Sequence, residues 1–516
     1  MSNSGAPLAT GARLLRFAPM ALLALTGARD LTIVAANAIL TAKEWLVARE
    51  PLSIDTVRSQ IVGIDQQVPL LDGSMRTYVN LDNAASTPAL QPVYERVNAF
   101  LPWYASVHRG TGFKSQLSTW AYEEAREVTL RFVGGDPAEH VVIFGKNTTE
   151  AINKLARRLP LQPGDVVLTS LMEHHSNDLP WRPRAQVQRI GLTPEGELDE
   201  EHLDHLLRRF AGRVRLLAVS GASNVTGYVN PIYRLAQKAH EVGAQILVDA
   251  AQLAPHRKIE IGRLADPAHI DYLALSGHKL YAPFGTGALI GRRDTFIEGD
   301  PDLVGGGTIA LVTTTDVTWG DLPEKEEAGS PNVIGAVALA EALRCLEAIG
   351  MDAIAEHEAE LTAYALERLQ EVEPLVLYGN TEPACCPGRV GVISLSVPGV
   401  DDHKVAAILS YEAGIGVRNG CFCAQPYLFS LLKLSPREIA ELRAAVARGE
   451  MNRLPGLLRI SFGCYNTRSE VDAVVEALGN IARGHYQGQY VQQPDGHYQP
   501  QDYQVDWSRY LSTGAL

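Results

Sequence analysis

The chain predicts an α/β protein built on a mainly parallel sheet. Between residues 80 and 320, short apolar runs alternate with amphipathic segments, the pattern of strands crossed over by helices. Several of those runs end on Gly, Ser, Asn or Asp, and a smaller α/β portion follows. Val141-Val142-Ile143-Phe144 reads as a strand. After it, Ile152, Leu155, Ala156 and Leu159 repeat at i, i+3, i+4 and i+7, one buried helical face. Further strands are predicted at Asp165–Thr169, Leu216–Ser220, Ile246–Asp249 and Tyr272–Leu275. In such a sheet the functional groups gather at strand ends and in the loops beyond them. In the second portion, Val333–Ile349 is predicted helical and Val390–Val397 a strand. Leu458-Arg459-Ile460-Ser461-Phe462 alternates, so Arg459 faces away from the apolar side. Ser469 is predicted to cap a helix carrying Val471, Val474, Val475 and Leu478.

Composition bounds the class. In 516 residues, 46% are hydrophobic and 20% charged, which excludes a largely disordered, collagen-like or coiled-coil chain. A net charge of −13 speaks against a nucleic-acid binder, which needs a basic face. Six cysteines are too sparse for a disulfide scaffold and point to a reducing, cytoplasmic setting. The apolar stretch Phe17–Ala28 follows Arg13 and Arg16 but is broken by Arg29-Asp30. It falls short of the roughly 18 residues of a spanning helix, and reads either as an amphipathic helix or as the core of a signal peptide. Four parts are expected: a helical extension at 1–50, a large domain at 51–325 whose first segment contributes to the smaller one, a small domain at 326–484, and a Gln/Tyr-rich tail at 485–516. The tail repeats Gly-His-Tyr-Gln at 484–487 and 496–499 and is read as an arm over the body or a partner subunit, without chemistry of its own.

Four segments carry chemistry. Ser276-Gly277-His278-Lys279 leaves the strand Tyr272–Leu275, and a lysine there is placed for Schiff-base formation. Asp249 ends the strand Ile246–Val248, with Gln252 close behind; a carboxylate in that position can pair with a protonated pyridine nitrogen. Taken singly, the lysine is equally a solvated charge and the aspartate a helix cap. Phe144-Gly145-Lys146-Asn147-Thr148-Thr149-Glu150 runs from strand into helix. The free N–H groups of that helix start and the Thr148 and Thr149 hydroxyls suit a phosphate, although simple N-capping by Asn147 or Thr148 would use the same residues. Glu173-His174-His175-Ser176-Asn177 has adjacent histidines that do not converge on one ion, and no third ligand at metal spacing. Stacking of an imidazole on a planar cofactor is the better reading.

These segments resemble the class V aminotransferase family of fold-type I pyridoxal-phosphate enzymes, most closely its group II cysteine desulfurases and selenocysteine lyases. The resemblance rests on LDNAAST (81–87), NTTEAIN (147–153), EHHSNDLPW (173–181), SNVTGYVNPI (223–232), VDAAQLAPH (248–256), SGHKLYAPFGTG (276–287), EAGSPN (327–332), VRNGCFCAQP (417–426) and RISFGCYNT (459–467), in order over roughly residues 80–480. It implies a large domain with a seven-stranded, mainly parallel sheet and a smaller C-terminal α/β domain. It also implies pyridoxal 5'-phosphate as cofactor, a small amino-acid substrate, a homodimer and a sulfur-acceptor protein. By position, Lys279 would hold the cofactor as a Schiff base and move the proton at the substrate α-carbon. Asp249 would pair with the pyridine nitrogen, Gln252 with the ring hydroxyl, and His174 would stack on the ring. Asn224 would lie near the ring's oxygen side. Thr148, Thr149, Ser276 and His278 would hold the phosphate. Arg459, with Arg418 and Asn224 nearby, would take the substrate carboxylate through a bidentate pair. Gly305-Gly306-Gly307 and Ser330 would approach the partner subunit's cofactor.

Cys423 stands at the family's nucleophile position, five residues after Arg418. The implied reaction removes sulfur or selenium from a cysteine-type substrate, leaves a persulfide on Cys423 and releases alanine, and it requires a thiolate. The loop reads Cys421-Phe422-Cys423, which also resembles the loop of molybdenum-cofactor sulfurases; Cys421 could accept or resolve sulfur, or be inert. Asn147 stands where the family usually has Gly, and Asn tolerates left-handed backbone geometry. The alternatives are a C–S lyase, an epimerase or an aminotransferase on the same fold, or an inactive scaffold.

Overall fold

The computed structural model describes residues 51–511 apart from positions 495 and 502. The expected helical extension and its apolar stretch lie outside the described residues. Seven strands form the large sheet: β1 (His140–Gly145), β2 (Val166–Ser170), β3 (Gln186–Ile190), β4 (Val214–Ser220), β5 (Gln245–Asp249), β6 (Tyr272–Ser276) and β7 (Gly287–Arg292). Their spatial order is β1-β7-β6-β5-β4-β2-β3. Every pair is parallel except those made by β7, which runs antiparallel to β1 and β6.

Alternation along each strand divides the sheet's side chains between two cores. Val142, Phe144, Leu168, Leu217 and Leu275 pack into a core that also holds Val97, Val128 and Leu339 from the helices Gln91–Phe100, Phe113–Phe132 and Val333–Ile349. Val141, Ile143, Val167, Leu216 and Leu247 point the other way, against Ile152, Leu155 and Ala156 of the helix Thr148–Arg158. The helical face expected after the first strand is therefore the buried one. The predicted strands recur within two residues at each end, and β3 and β7 add to them.

The second sheet is antiparallel, with strands β8 (Val376–Tyr378), β9 (Val392–Ser396), β10 (Arg418–Gly420) and β11 (Leu457–Ser461) in the order β8-β9-β11-β10. Ile393, Leu395, Leu458 and Ile460 pack on Val471, Val474 and Leu478 of the helix Arg468–Ala482. That helix begins two residues earlier than Ser469 predicts. Thr467 is its N-cap, and Thr467 N–H donates to Glu470 Oε2 at 2.9 Å, closing a capping box. Near the chain start, Val79–Asn80 pairs in parallel with Ile415–Gly416, tying the segment before the first large strand to the loop that leads to Cys423.

The Gln/Tyr-rich tail forms a hairpin, Tyr490–Gln492 with Tyr498–Pro500, against the helix Asp402–Ala413. Glu412 on that helix accepts from the N–H groups of Gln487 and Gly488 and from the Tyr490 hydroxyl, at 2.8–2.9 Å. Among the described residues, no helix is long and apolar enough to cross a membrane.

Candidate active site

The C-terminal ends of β4, β5 and β6 and the loops beyond them enclose a cavity of about 220 Å³. Lys279, Asp249, Gln252, His174, Asn224, Thr148, Thr149, Ser276, His278, Arg418, Cys423 and Arg459 all line it. Residues far apart in sequence therefore meet where the topology of a parallel sheet places its sites. Ser330 is exposed and does not line the cavity of its own chain, nor do Gly305–Gly307. Asp82, Ser176, Ser220 and Phe422 belong to the site's structure without having been singled out in the sequence, although Asp82, Ser176 and Phe422 all fall inside the quoted motifs.

Asn147 caps the helix Thr148–Arg158, its side chain accepting from Glu150 N–H at 3.0 Å; its backbone is extended, φ −171°, so the left-handed tolerance of Asn is not called on. Beside it, Ser276 Oγ lies 2.8 Å from both the backbone nitrogen and the hydroxyl of Thr148. Gly287 makes this approach feasible. A Cβ there would stand 2.6 Å from Asn147 Cα. Capping and a hydroxyl-rich cradle thus coexist in the same residues.

His174 is half-buried, and its Nδ1 accepts from Ser176 N–H at 3.1 Å, so the ring proton sits on Nε2. Burial first, then the charges of Lys279, His175 and Arg459, push its pKa down to about 3, and the ring is neutral at neutral pH. Behind it, the fully buried Glu173 carboxylate accepts from Ser170 Oγ at 2.5 Å, Ser220 Oγ at 2.7 Å and Asn177 Nδ2 at 2.7 Å. Burial outweighs these bonds and raises its pKa to about 7.

Lys279 follows β6 in a single helical turn, Gly277–Lys279. Burial lowers its pKa to about 8, against the opposing pull of Asp249. Among the described residues its amine makes neither a hydrogen bond nor an ion pair. Asp249 is buried and takes one backbone N–H, from Ala251 at 3.0 Å. Burial raises its pKa. An amine poised near neutrality, a buried carboxylate short of partners and a hydroxyl-lined helix start form a donor set that fits pyridoxal 5'-phosphate: an aldehyde for the lysine, a ring N–H for the carboxylate, a phosphate for the hydroxyls.

Arg459, expected to turn away from the apolar side of β11, does so into the cavity and is 3% exposed. Its Nη1 donates to Asn224 O at 3.0 Å and its Nη2 to Asp82 Oδ1 at 2.9 Å. The Phe422 ring lies 4.9 Å from its Cζ, and its buried Nε has no acceptor among the described residues. Arg418 is 3.8 Å from the other Asp82 oxygen.

Cys423 is exposed, whereas Cys421 is half-buried with a thiol that burial pushes up. The two sit in a tight turn closed by Ala424 N–H donating to Cys421 O at 3.0 Å. Both central residues are left-handed, Phe422 at φ 52° and Cys423 at φ 55°. That conformation costs about 1–2 kcal/mol per non-glycine residue. Each strained carbonyl is clamped, Phe422 O by Asn224 Nδ2 and Cys423 O by His175 N–H, both at 2.7 Å. Gly227 lets the Asn224 loop reach this position, since a Cβ there would meet Val390 O at 2.4 Å.

The sequence matches the aminotransferase class-V family model over residues 79–474. A probable cysteine desulfurase of Halobacterium salinarum is 36% identical over 439 residues, covering 83% of this chain and 96% of the relative. A cysteine desulfurase of Dickeya dadantii is 36% identical over 445 residues, covering 84% and 98%. Among solved structures, an apo cysteine desulfurase from Thermococcus onnurineus superposes with a TM-score of 0.71 at 31% identity, covering 83% of this chain and 98% of that one. Such coverage, together with the sheet and the lysine-bearing cavity, means that the chain belongs to the class V aminotransferase family.

Proposed function

We propose that the protein is a pyridoxal-phosphate-dependent cysteine desulfurase, which takes sulfur from L-cysteine or a closely related amino acid onto Cys423 and releases alanine. The observation that carries this reading is the convergence of a nucleophile-bearing turn and a lysine of lowered pKa on one cavity. Similarity to proteins named cysteine desulfurase over most of the chain supports it.

The cofactor, when bound, would draw electron density away from the α-carbon of the amino acid. Asp249, with Gln252, would hold the ring, and His174, neutral at neutral pH, would lie over it without adding charge. Thr148, Thr149, Ser276 and His278 would hold the phosphate. Arg459 would receive the substrate carboxylate in place of Asp82, with Arg418 and Asn224 at its side. Lys279 Nζ would take the α-proton and return one to the carbon skeleton. The Cys423 thiolate would attack the substrate sulfur: an S–S bond forms, the C–S bond breaks, and the electron pair left on carbon is protonated to complete alanine.

A homodimer, a sulfur-accepting protein and a cytoplasmic location belong to the same proposal. Exposed Phe113, Trp120 and Val304, 63–71% accessible, support an assembly partner, and the exposed Ser330 and Gly305–Gly307 suit an approach to a partner's site.

The test is an absorbance spectrum of purified protein before and after L-cysteine, with alanine assayed alongside. A cofactor band that shifts and alanine that accumulates are expected. Cys423→Ala should keep the band and its shift but form no persulfide; unchanged persulfide output in that variant would refute the assignment of Cys423.

A further inference from the structure

Strands β5 and β6 carry Asp249 and Ser276 into the pocket. At their opposite ends lies a second cluster. His240, near the end of the helix Ile232–Glu241, stacks its ring 4.1 Å from that of His269, in the loop before β6. Both face the buried side chain of Asp271. Each Nδ1 lies against a backbone carbonyl, Pro267 O at 2.8 Å for His240 and Asp266 O at 2.6 Å for His269. A carbonyl can only accept, so both Nδ1 atoms carry the ring proton. Nε2 of His240 then stands 2.9 Å from Asp271 Oδ2, and Nε2 of His269 3.2 Å from Oδ1. In neutral rings these contacts set nitrogen lone pairs against carboxylate lone pairs. A cation between them resolves the conflict.

We propose that His240, His269 and Asp271 form a binding site for a divalent transition metal of the zinc class, with its fourth position open to the adjoining cavity.

Ligands bound to one tetrahedral zinc at about 2.0–2.1 Å lie roughly 3.3 Å apart, close to the observed N···O separations. Two imidazoles and one carboxylate suit zinc better than calcium or magnesium. The outer contacts are already built: backbone carbonyls fix both ring tautomers, and Ile246 N–H donates to Asp271 Oδ2 at 2.9 Å. The cavity, about 430 Å³ and lined by all three residues, provides entry and room for a water ligand. Two positive groups also face the cluster. Arg292 Nη1 lies 3.2 Å from Asp271 Oδ1, but its guanidinium is also forked on Asp294 at 2.6–3.0 Å. Arg215, on the cavity wall, is held by Asp165 at 3.0 Å. Binding would turn the two rings toward each other and leave Arg292 to Asp294. A single proton on the His240 Nε2 would answer the 2.9 Å contact but leave the His269 lone pair facing Asp271 Oδ1 at 3.2 Å, whereas one divalent ion answers both.

The ion would staple the helix Ile232–Glu241 to the start of β6. Asp271 lies five residues before Ser276, about 16 Å of strand away, so desulfuration should not depend on it.

The test titrates Zn²⁺ into metal-free holoenzyme by calorimetry, with Co²⁺ as a spectroscopic probe. One saturable site and a higher melting temperature with Zn²⁺ are expected, with Co²⁺ bands free of sulfur-ligand absorption. His269→Ala and Asp271→Asn should weaken binding by at least about tenfold and abolish the melting shift, while Cys423→Ala leaves both intact. Should Asp271→Asn misfold through loss of the Ile246 contact, His269→Ala and His240→Ala carry the comparison. No saturable binding to the wild type, equal affinity in the histidine variants, or a thiolate signature in the Co²⁺ spectrum would each overturn the proposal.

Discussion

Two buried arginines of this protein live in opposite circumstances. Arg126 packs behind the large sheet and grips Glu327 with two parallel bonds of 2.8 and 3.0 Å. Glu327 takes two more, from Tyr122 OH at 2.8 Å and Phe144 N–H at 2.7 Å. Burial alone would lower the Arg126 pKa, yet the carboxylate outweighs it and raises it. Arg459 in the cavity has only one carboxylate oxygen of Asp82, a carbonyl and an aromatic face, and there burial wins and lowers its pKa. The carboxylates show the same contrast: Glu327 accepts four bonds, whereas Asp249 has a single N–H from the chain. Saturated charge holds the scaffold together, while charge left short of partners marks where a ligand completes the set.

The largest expected effect falls on the unsaturated side. Lys279→Ala should lower turnover by about 10²–10⁴-fold or more and abolish the covalent cofactor band, with the melting temperature little changed. A variant that kept the band would break the contrast. On the saturated side, Glu327→Gln should cost about 3–5 kcal/mol, because it leaves the buried Arg126 charge with only the more exposed Glu123 carboxylate at 3.1 Å; denaturant unfolding checks this, and a loss below about 1 kcal/mol would mean that the network is ornamental. Arg459→Lys should raise KM for the amino acid by about 10–100-fold with a smaller change in kcat, since a point charge cannot replace the fork. Steady-state kinetics separates the two parameters.

The smallest effect is a pH dependence. Glu173 has a folded pKa raised to about 7 from an ordinary 4.5. Between those values the folded state binds the extra proton, so its contribution to stability is complete at low pH and is lost as pH rises through about 7. Glu173→Gln should flatten that part of the stability profile; an unchanged profile would place the titration elsewhere.

Much of the site was legible because strand ends and residue types announce it: Lys279 after β6, Asp249 closing β5, the hydroxyls after β1. What stayed hidden depends on tertiary meeting. Asp82 and Arg459 are 377 residues apart, and no local pattern pairs them. Nor does sequence show that Phe422 lies under the arginine, or that Phe422 and Cys423 are both left-handed, a conformation non-glycine residues seldom adopt. Strand β3 escaped because it lies at the sheet's edge and carries Gln186, Gln188 and Arg189, only Ile190 being buried. Strand β7 opens on Gly287 after Gly285 and reads as loop. The helix start at Thr467 was missed for Ser469 because both are good caps, and only the reach of Glu470 decides between them.

The most direct test of the central claim is a single turnover of holoenzyme with L-cysteine in the absence of any reductant. Alanine would be quantified and the peptide carrying Cys423 weighed. One alanine per active site and one sulfur atom gained on Cys423 are predicted. Alanine without sulfur on that peptide, or pyruvate and ammonia in place of alanine, would contradict the account.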